Sequence, residues 1–230
     1  MRDIISNSSF FGVMISVLSY ELGLYLKKKY KWAILNPLLI SIVVIILFLA
    51  VFRIKYDDFN EGAKYLSYLL TPATVCLAIP LYEQIQLLKD NWKAILAGIL
   101  AGVITTMCTV LAFAVMFHFT HEEYVTMLPK SITTAIGMGL SQEMGGIVTI
   151  TVVSIIITGV FGNMIADIVF KVFQIHNPIA KGIGLGSSAH AIGTAKAMEM
   201  GEIEGAMSSL SIAVTGLMSV IFAAIFAGII

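Results

Sequence analysis

The chain has 230 residues, of which 58% are hydrophobic and only 12% charged, and its 14 basic and 14 acidic residues leave a formal net charge of zero. Soluble domains carry about 25% charged residues, so too little polar surface is present to cover a water-soluble globule. No positive excess exists to hold a nucleic acid, and two cysteines, Cys76 and Cys108, both within apolar sequence, offer neither a disulfide framework nor a metal-site spacing.

Apolar runs of roughly 20 residues, the length that crosses a hydrocarbon core, predict five spanning helices at 5–26, 33–52, 93–117, 146–168 and 205–229. Runs of this length are too long for barrel strands, so an all-α polytopic integral membrane protein is expected. In the first run the lysine cluster Lys27, Lys28, Lys29 and Lys31 follows the apolar stretch, and no Ala-x-Ala-like site closes it. It therefore reads as a membrane helix and not as a cleavable signal. The same cluster should face the cytoplasm, which places the N-terminus and the acidic loop of Asp57, Asp58 and Glu61 outside. Residues 5–62 are then a peripheral helix pair of one transmembrane domain, 1–230, whose repeat core is 65–229.

Between the confident spans lie three irregular segments, 65–82, 127–143 and 179–199, interrupted by Pro72 and Pro80, by Pro129, Gly137 and Gly139, and by Gly182, Gly184, Gly186 and Gly193. Irregular backbone at membrane depth is tolerated only against protein or a polar cavity, which places these segments in the interior. Two of them repeat. Ala135-Ile-Gly137 and Glu143-Met-Gly145 recur as Ala191-Ile-Gly193 and Glu199-Met-Gly201 at a constant offset of 56, and Ser131 aligns with Ser187. A weaker copy around Pro72-Ala-Thr74 precedes them. If all three segments cross, the repeats point the same way and eight crossings result. If they turn back, five full crossings remain and successive copies enter from opposite faces, an inverted arrangement typical of transporter cores.

The polar residues of these segments are the candidates for function. Thr74, Lys130, Ser131, Thr133, Ser187, Ser188 and His190 are candidate substrate-binding groups. Hydroxyls and the N–H groups of a helix start attract a carboxylate, and Lys130 or His190 adds positive charge. The plainer alternatives are a snorkelling lysine at a helix end and a histidine bonded to a neighbouring carbonyl. Glu143, Glu199, Lys196 and Asn163 are candidates for coupling or gating. Against this, the two glutamates suit a wet membrane boundary, Lys196 stands three residues before Glu199 at ion-pair spacing, and Asn163 with Asp167 suits a tie between helices. No nucleophile-elbow motif accompanies Ser187, Ser188 and His190, so no enzyme is expected, and no metal or cofactor either.

Four stretches carry a resemblance: Ala73-Thr-Val-Cys-Leu-Ala-Ile-Pro-Leu-Tyr82, Leu128-Pro-Lys-Ser-Ile-Thr-Thr-Ala-Ile-Gly137, Asn177-Pro-Ile-Ala-Lys-Gly182 and Gly186-Ser-Ser-Ala-His-Ala-Ile-Gly-Thr-Ala-Lys196. Through them the chain resembles, almost from end to end, the LrgB/CidB-type family of bacterial membrane proteins, and looks closest to a CidB-like branch. Family members often place an acidic residue before Pro-Ala-Thr; here Leu70-Thr71 precede Pro72. The resemblance implies a bacterial cell-membrane location and a small LrgA/CidA-type holin-like partner. It also implies one or both of two roles, regulation of murein hydrolase activity and autolysis, or carriage of small organic monocarboxylates such as pyruvate, lactate or glycolate. The carrier reading is the leading expectation from the residues, with a homo-oligomer expected and lysis control as its alternative.

Overall fold

The computed structural model describes residues 10–30, 35–76 and 78–230, without the side chains of Leu70, Thr71 and Thr74. All secondary structure among them is helical. The chain divides into two compact units, Met1–Cys76 and Leu77–Ile230, so the boundary falls inside the expected segment 65–82.

The first unit holds α1 (Phe11–Tyr30), α2 (Pro37–Phe52), α3 (Tyr56–Tyr68) and α4 (Leu70–Cys76). Asn36 caps α2, its side chain accepting from Leu38 N at 2.9 Å, with Pro37 at the first helical position. Glycines set the spacing here: a Cβ on Gly12 would run into the backbone of Phe59 and Ala63 in α3, and one on Gly23 into Pro37. The helices α1 and α3 therefore approach almost backbone to backbone. The 16 residues of α2 reach about 24 Å at 1.5 Å per residue, short of a ~30 Å hydrocarbon core.

The second unit contains α5 (Ala78–Glu83), α6 (Ile85–Phe117), α7 (His121–Met127), α8 (Thr134–Glu143), α9 (Val148–Val172), α10 (Pro178–Met200) and α11 (Glu202–Ala227). Three of these, α6, α9 and α11, are long and apolar enough to cross a membrane. They coincide with the expected spans 93–117, 146–168 and 205–229. An inward stripe of Ile95, Ile99, Val103, Met107, Val110 and Ala114 on α6 packs against Tyr124, Leu128 and Met207, the spacing of one helix face. Tyr124 is fully buried and its hydroxyl donates to the Phe226 carbonyl at 3.0 Å, fastening α7 to the end of α11.

What lies between the spans decides the architecture. The element α10 is two helices joined at a break at His190, whose φ of 42° and ψ of −136° are not helical. A Cβ on Gly193 would lie 2.6 Å from the Leu185 carbonyl oxygen. Eight residues of unbroken helix separate two positions by about 12 Å, so the chain must fold back at His190. The two arms, 178–189 and 191–200, lie side by side, with Leu185 and Ala197 sharing one apolar cluster. Contacts with α11 confirm the opposite directions. On the first arm Gly182 meets Glu204 and Met207, and Gly186 meets Ser208 and Ser211; on the second, Thr194 Oγ1 is 2.7 Å from Ser208 Oγ and Met198 packs on Gly205.

The segment before α9 does the same. After α7 the chain turns through residues 128–133 and returns as α8. Across that turn a Cβ on Gly137 would sit 3.6 Å from the Pro129 carbonyl. Pro129 and Gly137 stand 56 residues before Leu185 and Gly193, and Thr134, where α8 begins, stands 56 before His190. At the open end Thr126, Ser141 and Thr151 form a buried hydroxyl cluster. Thr151 Oγ1 donates to the Thr126 carbonyl at 2.9 Å, Ser141 Oγ is 2.7 Å away, and Ile147 N donates to Thr126 Oγ1 at 2.8 Å. These bonds satisfy the groups that the α8–α9 corner would otherwise leave unpaired.

The glycines at the arm crossings make a graded test. Gly193→Ala meets backbone and is expected to cost about 1–3 kcal/mol. Gly137→Ala meets chiefly the movable end of Ile155 and is expected to cost less. Gly139→Ala meets nothing within 4 Å and is expected to be neutral or stabilising by about 0.5–1 kcal/mol. Thermal unfolding of the detergent-purified variants, followed by size exclusion, measures the order.

Candidate functional site

The two reversals put their tips beside α9. His190 is 3% exposed, and its Nε2 donates to the Ile155 carbonyl at 2.9 Å. Its ring rests on Gly159, where a Cβ would intrude, while Gly162 leaves room for Ala189. Positive φ at a non-glycine residue costs of order 1–3 kcal/mol and persists only where the surroundings hold it; here the ring hydrogen bond and the two glycines hold it. The contacts Ile155, Gly159 and Gly162 lie near the middle of α9, so the tip sits about halfway along a spanning helix.

Ties from α9 continue past the break. Asn163 Nδ2 donates to the Ile192 carbonyl at 3.0 Å, and Lys196 Nζ lies 2.7 Å from Asp167 Oδ2. The positions 163 and 167, one helical turn apart, thus pair with 192 and 196, also one turn apart. This is why Asn163, Asp167 and Lys196 occur at these spacings. The histidine takes the carbonyl-bonded role that the sequence left open.

At the tips a cavity of about 550 Å³ opens between α6, the 128–133 turn, α9 and the first arm of α10. It brings together three of the sequence-predicted residues, Lys130, Ser131 and Ser188, and adds Thr106 and Thr158. Lys130 is partly buried and Ser131 is 5% exposed. Lys130 Nζ donates to Ser131 Oγ at 3.4 Å, which leaves the serine's own hydrogen for another acceptor. Among the described residues no carboxylate pairs with Lys130, and Lys130 is the one charged group in the cavity wall. A cation held at this depth without an acidic partner is suited to an anion.

The remaining candidates fall elsewhere. Ser187 is buried against Gly102 of α6 and donates to the Ile183 carbonyl at 2.7 Å; Ser188 also bonds back, to Gly184, at 2.5 Å. Thr133 stands at the N-cap of α8 without a side-chain capping bond. Glu143 and Glu199 are exposed in the last turns of α8 and α10. The side chain of Thr74 lies outside the described residues. Thr106 was missed, yet it continues the series Gly98, Gly102 at four-residue spacing on α6, the pattern of a helix that lets neighbours approach. Thr158 directly precedes Gly159. Among the described residues no group of three His, Cys, Asp or Glu side chains could hold a metal ion.

The two ties from α9 should differ in strength. Asn163→Ala leaves a carbonyl at the break without its donor and is expected to cost about 1–3 kcal/mol. Asp167 is 64% exposed, so Asp167→Asn is expected to cost below ~1 kcal/mol. Unfolding midpoints of the two purified variants give the comparison.

Residues 16–229 match the LrgB-like family. The chain is 38% identical over 220 residues to "Antiholin-like protein LrgB" of Bacillus subtilis (strain 168), covering 95% of each chain. It is 36% identical over 218 residues to the proteins of the same name from Bacillus cereus (strain B4264) and Bacillus anthracis (strain CDC 684 / NRRL 3495), covering 94% of this chain and 95% of theirs. No solved structure matches.

Proposed function

The chain belongs to the LrgB-like family, and we propose that it acts as an antiholin-like regulator of autolysis. It is a multi-pass bacterial membrane protein of a non-catalytic family. The observation that carries this reading is near end-to-end similarity, 38% over 95% of both chains, to a protein named antiholin-like. A small LrgA/CidA-type holin-like membrane protein is the partner this role calls for. Placement within a CidB-like branch rests on the motif resemblance alone.

A second reading, carriage of small organic monocarboxylates, is favoured by one specific observation: the cavity at the hairpin tips, with Lys130 as its charged group and Ser131 and Ser188 beside it. In this reading each hairpin and the span after it form one copy of the repeat. A hairpin that returns to its own face and is followed by a crossing makes the next hairpin enter from the opposite face. Two such copies give an inverted pair whose tips meet at the binding site, the geometry that supports alternating access. Glu143 and Glu199, at equivalent ends of the two hairpins, would couple or gate.

Expression of the wild type in a strain lacking its own copy is expected to restore lysis control, measured as detergent-induced loss of turbidity. In proteoliposomes the wild type, with the holin-like partner present, is expected to move labelled pyruvate, lactate or glycolate, and Lys130→Gln to reduce that flux at least tenfold. Lysis control that survives in a transport-dead Lys130→Gln variant separates the roles and shows that the antiholin-like role does not depend on carriage. No flux of any of the three acids sinks the carrier reading.

A further inference from the structure

We propose that the cavity takes an amphiphilic monocarboxylate, a carboxylate with an extended apolar tail; this rests on the carboxylate reading of the same cavity and names its ligand class. The direction of the cavity follows from chain order. Along α9 its wall runs from Thr158 through Phe161 and Ile165 to Val169 and Phe170. Along the first arm of α10 it runs from Ser188 through Leu185 and Gly184 to Ala180. These two stretches are antiparallel, since Gly162 meets Ala189 while Phe170 is the nearest neighbour of Gly184. Both walls therefore change from hydroxyl to apolar in the same direction. Lys130 and Ser131, on the 128–133 turn, belong with the hydroxyl end.

Thr158 to Phe170 covers about 18 Å of helix at 1.5 Å per residue. A volume of about 550 Å³ belongs with ligands well above three carbons, since pockets for drug-sized molecules are roughly 300–1,000 Å³. A three-carbon acid would engage the hydroxyl end and leave the apolar wall unused. Each methylene buried against that wall is expected to tighten binding about fourfold. The cation Lys130 selects a carboxylate head over a neutral or cationic one, and among the described residues no charged group lines the apolar end to oppose a tail.

Gly184 offers a clean way to shorten the cavity. It lies in its wall, and a Cβ there has only the Phe170 ring at 3.9 Å. A leucine side chain would grow into the apolar end without pressing on backbone, in a helix that prefers leucine to glycine.

The test is equilibrium dialysis of labelled pyruvate, butyrate, octanoate and octanol against the full-length protein in nanodiscs, with empty nanodiscs subtracted. Octanoate is expected to bind more than tenfold tighter than pyruvate, and octanol not to bind specifically. Lys130→Gln is expected to weaken both acids at least tenfold. Gly184→Leu is expected to weaken octanoate at least tenfold and leave pyruvate within about twofold. Pyruvate binding as tightly as octanoate, or octanoate indifferent to Gly184→Leu, overturns the tail and leaves the carboxylate reading intact. Lys130-independent binding of every acid, or octanol bound as tightly as octanoate, overturns the carboxylate reading and the proposal together. Both variants are checked for monodispersity, and retained pyruvate binding by Gly184→Leu is itself proof that it has folded.

Discussion

A bilayer supplies no water to a broken backbone, so every N–H and C=O exposed by a turn at membrane depth needs a protein partner. The reversal at His190 is where that constraint bears hardest. One element, α9, answers it along a single face: Ile155 accepts from the histidine ring, Gly159 and Gly162 make room for the tip, and Asn163 donates to Ile192 just beyond the break. The hairpin cannot be moved, straightened or solvated without losing these partners together. The rest of the core is arranged around keeping the tip where α9 can serve it.

Close packing is the second half of that arrangement. The arms of both hairpins touch at a glycine, Gly137 and Gly193, set against carbonyls eight residues earlier. The first arm of α10 reaches α11 through Gly182 and Gly186, and α6 through its own Gly98 and Gly102. In lipid no hydrophobic drive pulls helices together, so the small residues that allow backbones to approach do much of the holding. The hydroxyl pairs Thr194–Ser208 and Ser141–Thr151, each at 2.7 Å, join the hairpins to the spans that follow them and add direction to contacts that would otherwise slide.

The cavity opens beside the two tips. Where they end, helix walls that pack tightly elsewhere leave about 550 Å³, and among the described residues the one charge in its wall is Lys130. The lysine sits on a turn and not on a helix, so it is carried by the least regular backbone in the core and held by the most regular helices. The same cavity wall is shared by that turn, α9 and the first arm of α10.

Part of this was written in the residues. Apolar length located α6, α9 and α11, because a hydrocarbon slab imposes its thickness on any chain that crosses it. The offset of 56 and the shared Ala-Ile-Gly and Glu-Met-Gly elements pointed to two related stretches, and Lys130, Ser131 and Ser188 were three of the seven polar residues proposed for binding. What the linear pattern could not decide was whether the broken segments cross or turn back, since glycine and proline permit both and the flanking charges balance. That choice is made by what lies opposite each glycine: a carbonyl eight residues away, which only a reversal can bring there. The same holds for the partners of His190, Asn163 and Lys196 and for Thr106 and Thr158. Their neighbours are 29 or more residues distant or on separate helices, and only packing brings them together.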